Sequence, residues 1–138
     1  MRICAEATEA ELERALGACG GAPEAEDVRA PETGLVMLRG RIGGDGAPFN
    51  VGEATVTRAV VRLGDGTVGY SYLLGRSTRR ARLAAIIEAL GQHPKHRATL
   101  DEVLMVPVRA RADAALQAQR EQSAATRVNF FTLVRGED

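Results

Sequence analysis

Apolar side chains recur at Leu12, Ala15, Leu16 and Cys19, a spacing of three and four that lines them along one face of a helix. Thr8-Glu9-Ala10-Glu11, just before them, reads as a capping box: the Thr8 hydroxyl accepts from the Glu11 amide and the Glu11 carboxylate reaches back. Gly20-Gly21 ends that helix. Residues 22–34 hold Pro23, Pro31 and four acids, and read as an irregular connector in which flexibility is left open. Residues 35–42 start apolar on both faces and end alternating, as a strand. A glycine-rich loop, 43–50, follows. From Glu53 to Leu63 the alternation is clean, with Ala54, Val56, Arg58, Val60 and Arg62 on one face and Thr55, Thr57, Ala59, Val61 and Leu63 on the other. Gly64-Asp65-Gly66 is the turn of a hairpin whose return strand runs from Thr67 to Leu74.

The pattern then changes to helical spacing. Ser77 caps a helix through Leu90, with Leu83, Ile86, Ile87 and Leu90 as its stripe. Arg76, Arg79, Arg80 and Arg82 crowd its start, where each positive charge opposes the helix dipole by roughly 0.3–1 kcal/mol unless an acid sits nearby. Thr99-Leu100-Asp101-Glu102 reads as a second capping box, opening a long helix to about Ser123 that Pro107 should kink or split. Beyond Ala112 this helix has little apolar surface and is expected to project from the body. Residues 126–135 alternate again, Val128, Phe130, Thr132 and Val134 opposite Phe131 and Leu133, as a last strand. The order α-β-β-β-α-α-β predicts one α+β domain over residues 1–138, with a mainly antiparallel sheet and a long Pro-kinked helix. Residues 1–34 are its N-terminal helix and connector.

Composition narrows the function. Eighteen basic residues balance eighteen acidic ones, so the basic excess that displaces counterions from nucleic acid is missing. All the basic residues but Lys95 are Arg, which suits anions through two-pronged contacts, although codon bias explains the same choice. With aromatics at 4%, the core must rest on Val, Leu, Ile and Ala. Such a chain is either modestly stable or completed by a partner. No apolar run nears the ~20 residues of a membrane span, no leader pattern is seen, and the two cysteines imply reduced thiols. A cytoplasmic protein is expected.

Candidate chemistry is sparse. Gly64-Asp65-Gly66-Thr67-Val68-Gly69 fits G-x-G-x-x-G, but it joins two strands instead of a strand and a helix, so a dinucleotide site is not expected. The loop 43–50 lacks the Gly-Lys-Ser/Thr ending of a P-loop. It reads first as a turn that shapes a protein interface and second as an anion cradle. His93 and His96 flank Pro94 in a turn without a carboxylate or thiol cluster, which argues against a metal site. Ser71, Ser77 and Ser123 have no nucleophile setting. Glu53 reads as a solvated residue at the start of its strand. The arginines at 76–82 suit a polyphosphate, an acidic partner or a solvated face, and their sequence leaves all three open.

Four blocks carry a family resemblance. Pro31-Glu32-Thr33-Gly34-Leu35-Val36-Met37, the stretch from Gly43 to Arg58, Leu73-Leu74-Gly75-Arg76 and the stretch from Val128 to Glu137 resemble the PhnG family, subunits of the bacterial carbon–phosphorus lyase system. Tyr70 stands where His is expected in many members, so no proton-transfer role carries over to that position. The resemblance implies an accessory subunit, without catalytic residues or a metal of its own, in a complex with PhnH-, PhnI- and PhnJ-type partners. That complex would move a phosphonate onto the ribose C1 of ATP and release adenine. Iron–sulfur and S-adenosylmethionine chemistry would belong to the PhnJ-type partner, leaving this chain without a cofactor. Residues at which an anion or partner contact is expected are Gly43, Gly44, Gly46, Pro48, Asn50, Thr57, Arg58 and Arg76. The alternative is a stand-alone anion- or nucleotide-binding module built on the glycine loop and the Arg cluster.

Overall fold

The computed structural model describes residues 2–41 and 46–125. Two short helices, α1 (Arg2–Glu6) and α2 (Glu9–Ala18), precede three strands, β1 (Ala25–Gly40), β2 (Phe49–Leu63) and β3 (Val68–Leu74). Next come α3 (Thr78–Gly91) and a long helical run: α4 (Pro94–Leu100), a widened π-type turn at Asp101–Met105, and α5 (Val106–Ala125). The strands form an antiparallel sheet in the order β1-β2-β3, the α+β arrangement the alternation predicts. The strand expected at 126–135 lies outside the described residues.

Alternation sorts the sheet's inner face from its outer one. Thr57, Ala59, Val61 and Leu63 of β2 and Ser71 and Leu73 of β3 are buried. Over them lies α3, buried at Ala81, Ala84, Ala85, Ile86, Ile87, Ala89 and Leu90. Leu12, Ala15 and Leu16 of α2 join this core, as do Leu100, Leu104 and Val108 of the last helical run. None of the described core residues is aromatic. The many alanines instead let α3 approach the sheet closely, and Gly69 on β3 is where the two meet. A Cβ on Gly69 would sit 2.8 Å from the Ala89 Cβ and nitrogen, and closer still to the Ala85 carbonyl oxygen. Gly66 has φ +89° in the hairpin turn. Two structural demands, a turn and a close helix approach, thus account for the last two glycines of the G-x-G-x-x-G pattern.

Local capping is as expected at α2: the Thr8 hydroxyl accepts from the Glu11 amide at 3.3 Å and the Glu11 carboxylate accepts from the Thr8 amide at 2.7 Å. Ser77 likewise accepts from the Arg80 amide at the start of α3.

Three expectations need correction. Residues 25–34 are not an irregular connector but the first ten residues of β1. Pro31 and the acids lower strand propensity there, yet the backbone ladder to β2, from Ala25 opposite Leu63 to Gly34 opposite Val56, overrides it, with Glu26–Arg62, Glu32–Arg58 and Asp27–Arg82 ion pairs beside it. Register shifts between Asp27 and Arg29 and between Arg29 and Glu32 accommodate Pro31 on what is, among the described residues, an edge strand. Next, Thr99 caps nothing. The helix has already begun at Pro94, whose missing N–H and fixed φ suit a first helical position, so 93–96 is a helix start and not a free turn. Finally, β2 begins at Phe49, earlier than Glu53, and shortens the glycine loop from its far side. The interruption expected at Pro107 is present in a softened form. Immediately before Pro107, the Val106 N–H reaches back five residues to the Asp101 oxygen, and this π-type turn carries the chain past a residue that cannot donate.

Candidate partner-binding site

The sheet outgrows the body that covers it. β3 ends at Leu74, opposite Val56, and the Gly75 N–H still reaches the Thr55 oxygen, so from Ala54 back to Phe49 β2 is paired, among the described residues, with β1 alone. This two-stranded arm is roughly 20 Å long, at ~3.3 Å per residue. It is apolar at Leu35, Met37, Leu38, Phe49 and Val51, all exposed, with Leu35 63% and Val51 60% accessible. Successive residues of a strand face opposite ways, so Met37 and Leu38 make both faces of the arm apolar. A bare hairpin is marginal in water. This one is shaped to be covered.

The outer face of the sheet continues the surface. Tyr70, Tyr72 and Leu74 are exposed on β3. Tyr70 and Tyr72, with Val60, Arg58 and Arg29, line a shallow groove of about 280 Å³. Solvated faces of antiparallel sheets are usually polar, so a tyrosine–leucine row there marks an interaction surface.

The expected contact residues do not converge on one site. Gly43 and Gly44 lie outside the described residues. Gly46 and Pro48 flank the arm's tip, and Asn50 is exposed in β2 opposite Arg39. Thr57 and Arg58 lie at the arm's base, seven or eight residues and some 23–26 Å along β2 from Asn50. Thr57 is fully buried. Its hydroxyl donates to the Gly75 carbonyl oxygen at 2.6 Å and lies 3.1 Å from that of Thr33, binding the hairpin base to the end of β3. Arg58 donates to Glu32 on β1 at 2.6 Å. Arg76 is exposed beside Gly75 and has no partner among the described residues.

Most of the arginine cluster is engaged within the chain. Arg79 pairs with Glu9 and Glu13 of α2, Arg80 donates to the Leu74 carbonyl oxygen at 2.9 Å, and Arg82 donates to Asp27 and to the Ala25 carbonyl oxygen. These carboxylates offset the unfavourable charge at the start of α3 and fasten α2 and β1 to it. Arg111 of α5 reaches Glu11 at 3.0 Å and the Glu6 carbonyl oxygen at 2.9 Å, joining the long helix to the α1–α2 corner. The Thr8 amide, aided by Arg111, holds the Glu11 carboxyl below its ordinary range. His93 contacts Asp65 at 3.0 Å and the Thr67 hydroxyl at 3.1 Å, fastening the hairpin turn to the start of α4. Among the described residues no three His, Cys, Asp or Glu side chains gather as a metal site. No described helix is long and apolar enough to cross a membrane.

The exposed apolar residues of the arm are the candidate feature that residue motifs did not single out. One signal was available: residues 35–38 are apolar on both faces, which a strand with one solvated face avoids.

The family described as phosphonate metabolism protein PhnG matches residues 1–136. A curated relative from Rhizobium meliloti (strain 1021), alpha-D-ribose 1-methylphosphonate 5-triphosphate synthase subunit PhnG, is 57% identical over 138 residues, covering 100% of this chain and 88% of the relative. The chain belongs to the PhnG family of phosphonate metabolism proteins.

Proposed function

We propose that this chain is an accessory, non-catalytic subunit of a cytoplasmic transferase complex. The complex joins an alkylphosphonate to the ribose C1 of ATP and releases adenine, giving a ribose 1-phosphonate 5-triphosphate. The observation that carries the reading is the two-stranded arm, apolar on both faces and left uncovered by the described chain. Family membership and the relative's name as a synthase subunit supply the reaction. The partners are PhnH-, PhnI- and PhnJ-type subunits, and ATP is a substrate of the assembly.

An iron–sulfur cluster does not fit this chain. Such clusters are held by four thiolates, or by two thiolates and two imidazoles, whereas only Cys4 and Cys19 are present, Cys4 is buried among core side chains, and among the described residues no three His, Cys, Asp or Glu side chains gather. Burial raises both thiols above their ordinary pKa, away from the thiolate form a cluster needs. That chemistry, with S-adenosylmethionine, is assigned to the PhnJ-type partner. The alternative of a stand-alone anion module has less support, because Arg79, Arg80 and Arg82 are already spent on internal contacts. Calorimetry of the isolated chain with ATP tests it, since that module requires binding that an Arg76→Ala variant loses.

Reconstitution tests the main reading. The PhnH-, PhnI- and PhnJ-type subunits are mixed with ATP and methylphosphonate, with and without this chain, and adenine is followed. Release is expected only in its presence, with none from the chain alone. Full-rate release without it, or no stable complex by light scattering, refutes the proposal.

A further inference from the structure

The two edges of the sheet are treated differently. In the β2–β3 pair, the Gly75 N–H donates to the Thr55 oxygen at 2.9 Å and the Leu63 N–H to the Thr67 oxygen at 2.8 Å. Odd-numbered residues of β2 from Thr55 to Leu63 therefore point their backbone groups at β3, and even-numbered ones at β1. On β1, Gly34 and Val36 stand opposite Val56 and Ala54, so their N–H and C=O groups are used inside the sheet. Thr33, Leu35 and Met37 stand opposite Thr57, Thr55 and Glu53, and direct theirs outward. The 3.1 Å approach of the Thr33 and Thr57 hydroxyls is what such a closely spaced, non-hydrogen-bonded pair produces.

On β3, side chains of α3 and of Gln92 just after it occupy three of the outward groups. Glu88 accepts from the Tyr70 N–H at 3.1 Å, Gln92 donates to the Val68 oxygen at 2.9 Å, and Arg80 donates to the Leu74 oxygen. On β1, Arg82 covers only the Ala25 oxygen, at the far end from the arm. Among the described residues nothing covers the outward groups of Thr33, Leu35 and Met37, and Leu35 and Met37 are themselves 63% and 59% exposed. Proteins normally blunt an open edge with charge, proline or a covering element. Here apolar side chains flank it instead.

We infer that the β1 edge from Thr33 to Met37 takes an extended segment of a partner subunit as an added strand, an inference that rests on the complex-subunit reading above. Main-chain hydrogen bonds supply attachment, and alternating side chains supply specificity. The segment carries apolar side chains that cover Leu35 and Met37. Near the arm's tip it carries a carboxylate facing Arg39 and Arg41, which have no partner among the described residues. A second copy of this chain fits worse. Antiparallel self-pairing centred on Leu35 sets Arg41 of one copy against Arg29 of the other, and Arg39 against Pro31, which has no N–H to give.

Residue-resolved amide hydrogen exchange on the full chain, alone and reconstituted with the PhnH-, PhnI- and PhnJ-type subunits, tests the inference. Alone, the Gly34 and Val36 amides should exchange slowly and those of Thr33, Leu35 and Met37 fast. In the complex the latter three should slow by about a hundredfold or more, as paired strand amides do. Leu35→Pro removes an outward N–H while sparing the inner ladder. It should weaken assembly about tenfold, with far-UV circular dichroism and Gly34 and Val36 protection retained. Met37→Lys, which deletes no backbone bond, should weaken assembly in the same direction. A complex that forms with all three amides still fast overturns the inference and leaves the subunit reading standing. Slow amides already present in the isolated chain also overturn it, assigning the edge to the chain's own terminal segment in a monomer or to a second copy in a dimer. Failure of the wild-type chain to assemble overturns both.

Discussion

Replacing Gly69 by Ala tests how tightly helix α3 is laid on the sheet. The added methyl would sit 2.8 Å from two atoms of Ala89, where ordinary contacts run from 3.4 to 4 Å, and nearer still to the Ala85 oxygen. Two of these obstacles are backbone atoms, so no rotamer change relieves them. The helix must retreat by more than about half an ångström, and a gap of 0.5–1 Å forfeits roughly a quarter to a half of each contact's attraction. α3 loses these contacts along its whole buried face, from Ala81 to Leu90. We expect a cost of about 3 kcal/mol, the upper end of the overpacking range. For a chain of this size that lowers Tm by roughly 10–15 °C. Urea unfolding followed by far-UV circular dichroism measures it, with an unchanged slope showing that the denatured state is the same. Gly52→Ala is the control: its site on the arm is open, and it shares the ~0.4–1 kcal/mol entropic gain of replacing glycine. Adding Ala89→Gly to Gly69→Ala should restore only part of the loss, because the Ala85 oxygen remains in the way. A difference below about 1 kcal/mol between the Gly69 and Gly52 variants would refute the packing argument.

Three further outcomes follow from particular contacts. Thr57→Val leaves the Gly75 oxygen and the Thr33 hydroxyl without their partner and should cost about 1–3 kcal/mol in urea unfolding, whereas Thr57→Ser should cost much less. The Glu11 carboxyl is depressed in the folded chain, first by the Thr8 amide and then by Arg111. Its contribution is therefore complete above the ordinary value of 4.5 and fades as pH falls through the folded value. Thermal melts from pH 7 to pH 3 should show the stability gap between wild type and Glu11→Gln closing at the acid end, and a gap independent of pH would contradict this. Arg82→Ala should destabilise more than Arg79→Ala in the same melts. Arg82 is the less exposed and also holds the Ala25 oxygen, while exposed pairs such as those of Arg79 are worth ~1 kcal/mol at most.

By itself the sequence determined whatever depends on neighbours a few residues apart. The α2 capping box and its apolar face, the β2–β3 hairpin with its turn at Gly64–Gly66, and the α+β order with an antiparallel sheet were all legible, because periodicity and capping are local. Family membership was legible for another reason, since four separate blocks resist chance. What the tertiary structure alone decided involves partners far apart in the chain. Strand β1 starts at Ala25 despite Pro31 and its acids because residues 25–34 ladder onto Val56–Leu63 of β2, with Arg58, Arg62 and Arg82, 26 to 55 residues away, pairing beside the ladder with Glu32, Glu26 and Asp27. The arginines that looked ready for an anion turned out to brace α2, β1 and β3 for the same reason. The arm's exposure is likewise a tertiary fact: alternation shows which side chains share a face, but only the end of β3 at Leu74 shows where the sheet loses its third strand. Local propensities are worth tenths of a kcal/mol per residue. Contacts made across the fold are worth more, and where the two disagreed the long-range contacts set the outcome.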